Sequence, residues 1–112
     1  MSEAQTIIAD TVKNNDVVLF MKGTRDFPQC GFSGLATQIL GYLNIEYTDV
    51  NVLDNDDIRQ GIKDFSDWPT IPQVYIKGEF IGGADILRDM FETGEIRTLL
   101  DDKGIAYSVT EQ

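Results

Sequence analysis

Residues 17–52 read VVLFMKGTRDFPQCGFSGLATQILGYLNIEYTDVNV, and the order of patterns within them decides the fold. Residues 17–21 are a short, unbroken apolar run rich in strand formers, which predicts a strand buried on both faces. A loop follows through Pro28. Over residues 31–44, Leu35, Ile39, Leu40 and Leu43 recur at helical spacing. Residues 46–52 alternate loosely and predict a second strand. Strand, helix and strand in that order imply a parallel pair joined by a right-handed crossover.

The pattern extends in both directions. Ser2 with Gln5 forms a capping box, and Ile7, Ile8, Thr11 and Val12 predict a first helix over about 3–14. Asn55-Asp56-Asp57 opens a third helix with its acids at the favourable end of the dipole; Ile58, Ile62 and Phe65 form its expected buried stripe. Residues 73–77, then Gly78-Glu79, then Phe80-Ile81 predict a hairpin and hence an antiparallel edge. A last helical stretch over about 84–102 is broken near Gly94, and residues 103–112 are expected to be a flexible tail. The fold class is α/β: one domain over 1–112 with its core at about 5–102. It is built on a mixed four-stranded sheet, parallel in its first pair, with helices on both faces.

Composition narrows the chemistry. The 112 residues carry a net charge of −10, one cysteine and no histidine. Such a balance disfavours nucleic acid and anionic membranes, which need basic patches, and no apolar run is long enough to span a bilayer. The N-terminus lacks the basic start of a secretory signal. A single free thiol suits a reducing compartment, most simply the cytoplasm. Without histidine there is no imidazole base, no Cys-His pair and no imidazole metal ligand.

The chemistry therefore centres on Cys30, which precedes the helix beginning near Gly31. Free helix N–H groups and the dipole favour the thiolate there, and Lys22 and Arg25 are candidate nearby charges. A buried, inert cysteine is the equal alternative on position alone, although Gln29, Gly31 and Ser33 make a loop-like setting. Residues 30–33, Cys-Gly-Phe-Ser, are a Cys-x-x-Cys pattern with its second thiol replaced. Ser33 cannot resolve a mixed disulfide, so Cys30 can hold one sulfur partner that only an external thiol releases.

With Lys22-Gly23-Thr24, Trp68-Pro69-Thr70-Ile71-Pro72 and Gly82-Gly83-Ala84-Asp85 in order around Cys30-Gly31-Phe32-Ser33, the sequence closely resembles the monothiol glutaredoxins over about residues 5–102. The resemblance implies a thioredoxin-like fold with a cis Pro72, against the simpler reading of a strand-initiating trans proline. It implies a glutathione site: Lys22 and Arg59 at the glycyl carboxylate, the Ile71 main chain against the cysteinyl unit, and Ala84 and Asp85 at the γ-glutamyl end. Taken singly, Lys22 and Arg59 read as solvated charges and Asp85 as an ordinary first-turn acid. Phe32 and Trp68 are rim candidates, with a packing role for Trp68 equally open. Two features qualify the match. Ala84 stands where the family often has a second cysteine, and seven residues separate Lys22 from Cys30, a longer spacer than in the dithiol branch.

A [2Fe-2S] cluster takes four soft ligands, and one chain supplies one. The resemblance implies that Cys30 from two copies and two glutathione thiols complete the set in a homodimer. It also implies a BolA-like protein as alternative partner and apo-proteins as cluster recipients. The expected role is therefore a cluster carrier more than an enzyme; glutathione-dependent disulfide reduction through Cys30 alone is the alternative.

Overall fold

A computed structural model describes residues 2–109. Its elements are α1 (Glu3–Asn14), β1 (Val17–Met21), α2 (Gly31–Tyr42), β2 (Thr48–Asn51), a 3-10 turn (Val52–Asp54), α3 (Asp56–Ser66), β3 (Gln73–Ile76), β4 (Glu79–Gly82), α4 (Ala84–Thr93) and α5 (Glu95–Lys103). The sheet order is β2-β1-β3-β4, with β1 parallel to β2 and antiparallel to β3. This is the mixed sheet expected from the strand-helix-strand pattern.

The apolar run of β1 works because side chains alternate across a sheet. Val17, Leu19 and Met21 enter one core with Val74 and Ile76, under residues of α2, α4 and α5. Val18 and Phe20 enter a second core with Tyr75, under α1 and α3. Every residue of β1 is at most 2% exposed. The strand is therefore clamped between two helical layers, and its C-terminal end, leading to Lys22, is fixed.

Local chemistry moved several boundaries. Asn51 accepts the Leu53 N–H at 3.0 Å, so the chain turns at Val52 and the second strand is only Thr48–Asn51. Helix α2 stops at Tyr42, ahead of Asn44 in left-handed backbone (φ 51°). The hairpin turn falls at Lys77 and Gly78, both at positive φ as a tight two-residue turn requires. Lys77 is held there by its ion pair to Asp16 at 3.1 Å.

Two expectations differ from the structure. Phe65 is not in the buried stripe of α3: it is 37% exposed, with its ring 6.0 Å from that of Tyr75. The inward position is Gly61, where α1 and α3 approach so closely that a Cβ would lie 3.1 Å from Ile8 Cδ1. Nor does the chain leave the body at residue 103. Ile105 is buried, Tyr107 and Val109 pack on the first core, and the Ser108 N–H donates to Leu43 O at 2.9 Å. Alternating apolar side chains dock this segment much as they would dock an edge strand. Residues 110–112 of the expected tail lie outside the described residues.

Candidate functional site

Cys30 is the N-cap of α2. Its Sγ accepts the Ser33 N–H at 3.3 Å and lies 3.3 Å from Ser33 Oγ. Ser33 is fully buried, and its Oγ accepts the Lys22 N–H at 3.1 Å. That bond leaves the hydroxyl hydrogen free to point at sulfur once the thiol ionises. Partial burial pushes the Cys30 thiol up. The Ser33 hydroxyl, the N–H groups of Ser33 and Phe32 and the charge of Lys22 outweigh it and hold the thiol below its ordinary value. Ser33, read from sequence only as a missing thiol, is thus a working part of the site.

The loop between Lys22 and Cys30 is ordered by its own bonds. Gln29 N–H donates to Lys22 O at 2.9 Å, and Thr24 and Phe27 exchange main-chain bonds. Gly23 N–H donates to Asn51 Oδ1 at 2.9 Å. Arg25 ties the loop to β2: its N–H reaches Asp49 Oδ2 at 2.9 Å, its guanidinium meets Asp49 Oδ1 at 3.2 Å and Tyr47 O, and it lies 4.2 Å over the Tyr47 ring. Asp49 is pushed up by burial but held lower by these Arg25 bonds. The expectation that Arg25 adds charge at Cys30 is therefore corrected: its charge faces Asp49, and Lys22 is the cation that acts on the thiol.

Beside the thiol runs a groove of about 410 Å³. Trp68, Pro69, Thr70 and Ile71 form one wall, Gly83, Ala84, Asp85 and Ile86 the other, with Lys22 and Phe32 at the Cys30 end. The Ile71–Pro72 peptide is cis. The pairing of β1 with β3 ends at Phe20 opposite Gln73. In the same register Lys22 would face Ile71, but Lys22 bonds Ser33 and Gln29 instead. The Ile71 main chain is left at the groove without a strand partner, a position suited to an extended peptide.

Across the groove, Gly83 caps α4 without a side-chain bond. The first free N–H groups of that helix, at Ala84 and Asp85, are an anion-favouring end. Space at Gly83 is tight: a Cβ there would lie 3.3 Å from Pro72 O. Asp85 is exposed, and among the described residues its one ion-pair contact is to Arg88 at 3.6 Å. Of the residues expected to gather, Lys22, Ile71, Ala84 and Asp85 line this groove; Cys30 is not itself a lining residue, and it meets the groove through Lys22 and Phe32, whose charge and N–H act on its thiol. Arg59 is exposed on α3 and is not among the lining residues; Lys63, one helical turn later, is. Among the described residues neither Lys22 nor Lys63 pairs with a carboxylate. Two such cations in one groove of a chain with net charge −10 make the local field more favourable to an anion than the rest of the surface. A larger hollow of about 1020 Å³ lies between the end of α1, the start of β2 and residues 104–108; it holds no thiol, and Arg25 is its sole cation among the described residues.

Comparison with known proteins agrees with this geometry. The glutaredoxin family model matches residues 17–81. A probable monothiol glutaredoxin 2 of Rickettsia typhi is 49% identical over 96 residues, covering 86% of each chain. The chain belongs to the monothiol glutaredoxins. It is also 58% identical over 86 residues to the chloroplastic monothiol glutaredoxin-S14 of Arabidopsis thaliana; the match covers 77% of this chain and half the length of that relative. Among solved structures, a monomeric truncated mutant of Trypanosoma brucei 1-C-Grx1 superposes with a TM-score of 0.86 at 42% identity, covering 96% of this chain and 97% of that one. No helix among the described residues is long and apolar enough to cross a membrane.

In this glutaredoxin, Ser33→Ala tests the hydroxyl. It removes the bond that most lowers the thiol and leaves the Lys22 N–H without its acceptor. The alkylation-rate profile of Cys30 with iodoacetamide is expected to move to higher pH, because less thiolate is present at any given pH. Stability should fall by about 1–3 kcal/mol for the orphaned N–H. An unmoved profile would show that the helix N–H groups and Lys22 suffice.

Proposed function

We propose that the protein binds glutathione in the groove beside Cys30 and, as a pair of chains, carries a glutathione-ligated [2Fe-2S] cluster for delivery to apo-proteins. The observation that carries this reading is the pairing of one activated, partly exposed thiol with a groove whose two cations are unpaired. A thiolate is a good iron ligand, but no group of three potential metal ligands exists among the described residues. One chain therefore supplies a quarter of what the cluster needs. Glutathione fits the remainder: its carboxylates suit Lys22, Lys63 and the N-terminus of α4, its main chain suits Ile71, and its thiol is a second soft ligand. Phe27 and Phe32, 74% and 61% exposed, flank Cys30 in sequence and offer an apolar surface to a second copy or to a BolA-like partner. Ligands held without covalent attachment make the cargo easy to release, as a carrier requires. A reducing compartment, in the simplest case the cytoplasm, keeps the thiol available.

The test is anaerobic reconstitution with iron, sulfide and glutathione, followed by a visible spectrum and size-exclusion chromatography. A coloured dimer that does not form when glutathione is omitted is expected. A colourless monomer under all conditions would overturn the proposal.

The lowered thiol also favours a second reading, glutathione-dependent disulfide reduction. Cys30 thiolate would attack the glutathione sulfur of a mixed disulfide, expelling the substrate thiolate. A second glutathione thiolate would then attack, returning Cys30 and yielding oxidised glutathione. Turnover in a mixed-disulfide assay matching that of a dithiol glutaredoxin would promote this reading above the first.

A further inference from the structure

Gln73 is a polar residue with 0% exposure at the start of a strand that is otherwise apolar. Its amide is fully occupied: Nε2 donates to Trp68 O at 3.3 Å and to Thr70 O at 3.2 Å, and Oε1 accepts from the Tyr75 hydroxyl at 3.2 Å. Two carbonyls on one side fix which amide atom is nitrogen. Among the described residues no other donor reaches Trp68 O or Thr70 O. On its other side Trp68 is also held, its N–H donating to Ser66 Oγ at 3.1 Å and to Lys63 O at 3.2 Å. The Trp68 ring packs 5.9 Å from Phe80, and its Nε1 lies 4.0 Å from where a Cβ on Gly83 would sit. Trp68 thus reaches across toward the opposite wall of the groove.

We infer that Gln73 is a positioning residue for glutathione: its buried amide fastens the Trp68–Thr70 loop and so sets the groove width and the presentation of the Ile71 main chain. The inference rests on the reading of the groove as a glutathione site. Gln73 itself touches no ligand. A loop of prolines, threonine and an exposed tryptophan has little apolar burial of its own, and two hydrogen bonds from a rigid central strand replace it. Buried amide networks of this kind matter because a half-satisfied one is costly.

The test uses S-methylglutathione, whose blocked sulfur separates binding from thiol and metal chemistry, with calorimetric titration of the full chain. Gln73→Met keeps size and removes both donors. It should weaken binding about tenfold, while the pH profile of Cys30 alkylation stays in place. Trp68 is the sole tryptophan, so its emission reports the loop directly; a red shift and stronger acrylamide quenching are expected in the ligand-free variant. Tyr75→Phe removes only the third bond, and its affinity should stay within about twofold of wild type. Should Gln73→Met fail to fold, Gln73→Glu preserves shape with at most one donor and serves the same comparison. Wild-type affinity and emission in the Gln73 variant overturn the inference, as does an equal loss in Tyr75→Phe. If wild-type protein takes up no S-methylglutathione, the glutathione reading falls instead; Trp68 emission then decides the hold on the loop, an unchanged spectrum overturning it.

Discussion

Cys30→Ser, reconstituted anaerobically with iron, sulfide and glutathione, is expected to remain colourless and monomeric. The effect should be close to total. Cys30 is the one thiolate each chain can offer, and a serine hydroxyl is a hard, weakly acidic donor that does not replace a thiolate on iron. Two chains would lose two of four ligands at once. The variant is informative because it should not harm the fold. Cys30 sits at the N-cap of α2 with its sulfur accepting the Ser33 N–H, and serine is among the preferred residues at that position. Stability is expected to match wild type within about 0.5 kcal/mol by thermal denaturation. Lost colour with an unchanged melting temperature would assign the effect to ligation. A coloured dimer from the serine variant would remove Cys30 from the cluster and sink the proposed assembly.

Gly23→Ala is expected to be the most damaging single methyl group near the site. Gly23 adopts φ +89°, and an added Cβ would lie 2.4 Å from Phe27 O and 2.7 Å from Gln29 N. Both are main-chain atoms of the loop that closes on Gly23, so neither can swing aside. The loop must open or the backbone must flip, and either breaks the bonds from Gln29 to Lys22 and from Gly23 to Asn51. Strain and lost bonds together should cost about 3 kcal/mol, lowering the melting temperature by roughly 10 °C. Gly78→Ala is the comparison: Gly78 also has positive φ (+81°), but nothing lies within 4 Å of where its Cβ would sit, so only the conformational cost of about 1 kcal/mol applies. Equal melting temperatures in the two variants would show that the loop is not closed as tightly as its geometry indicates. Altered Cys30 alkylation in Gly23→Ala alone would tie loop closure to thiol chemistry.

Much of the architecture was legible because hydrophobic pattern and topology agree. The five apolar residues of β1 can be buried on both faces only in the middle of a sheet, and the crossover rule then orders the next strand. The place of Lys22, Ile71, Ala84 and Asp85 along one groove was legible through motifs. Other features turn on facts that spacing does not carry. Arg59 and Lys63 are four apart on one helix, so pattern cannot say which turn of α3 reaches the groove. Arg25 looked like a charge for Cys30 because the sequence does not reveal that Asp49, 24 residues on, will claim it. Gln73 was invisible as a functional candidate because a single amide in an apolar strand has no periodic signature. Phe65 follows the helical stripe but lies past the point where α3 is covered. The segment after Lys103 carries apolar residues at 105, 107 and 109, and it docks through them, whereas a terminal position by itself suggests a free tail.

The early departure of Lys22 from its place opposite Ile71 has a consequence for selectivity. A peptide that takes up the vacated place is read through its main chain, and main chains are alike in every peptide. The middle of the ligand therefore conveys almost no information about which molecule has arrived. Under the proposed glutathione reading, discrimination would fall to the ends, where Lys22, Lys63 and the first turn of α4 would measure the separation of charged groups. Such a site would act as a ruler for charge spacing, indifferent to most side chains between its marks. A tripeptide with an ordinary α-linked glutamate keeps its carboxylates as many bonds apart but draws its ammonium in beside the peptide link, so under that reading it would be told apart by the place of its positive charge.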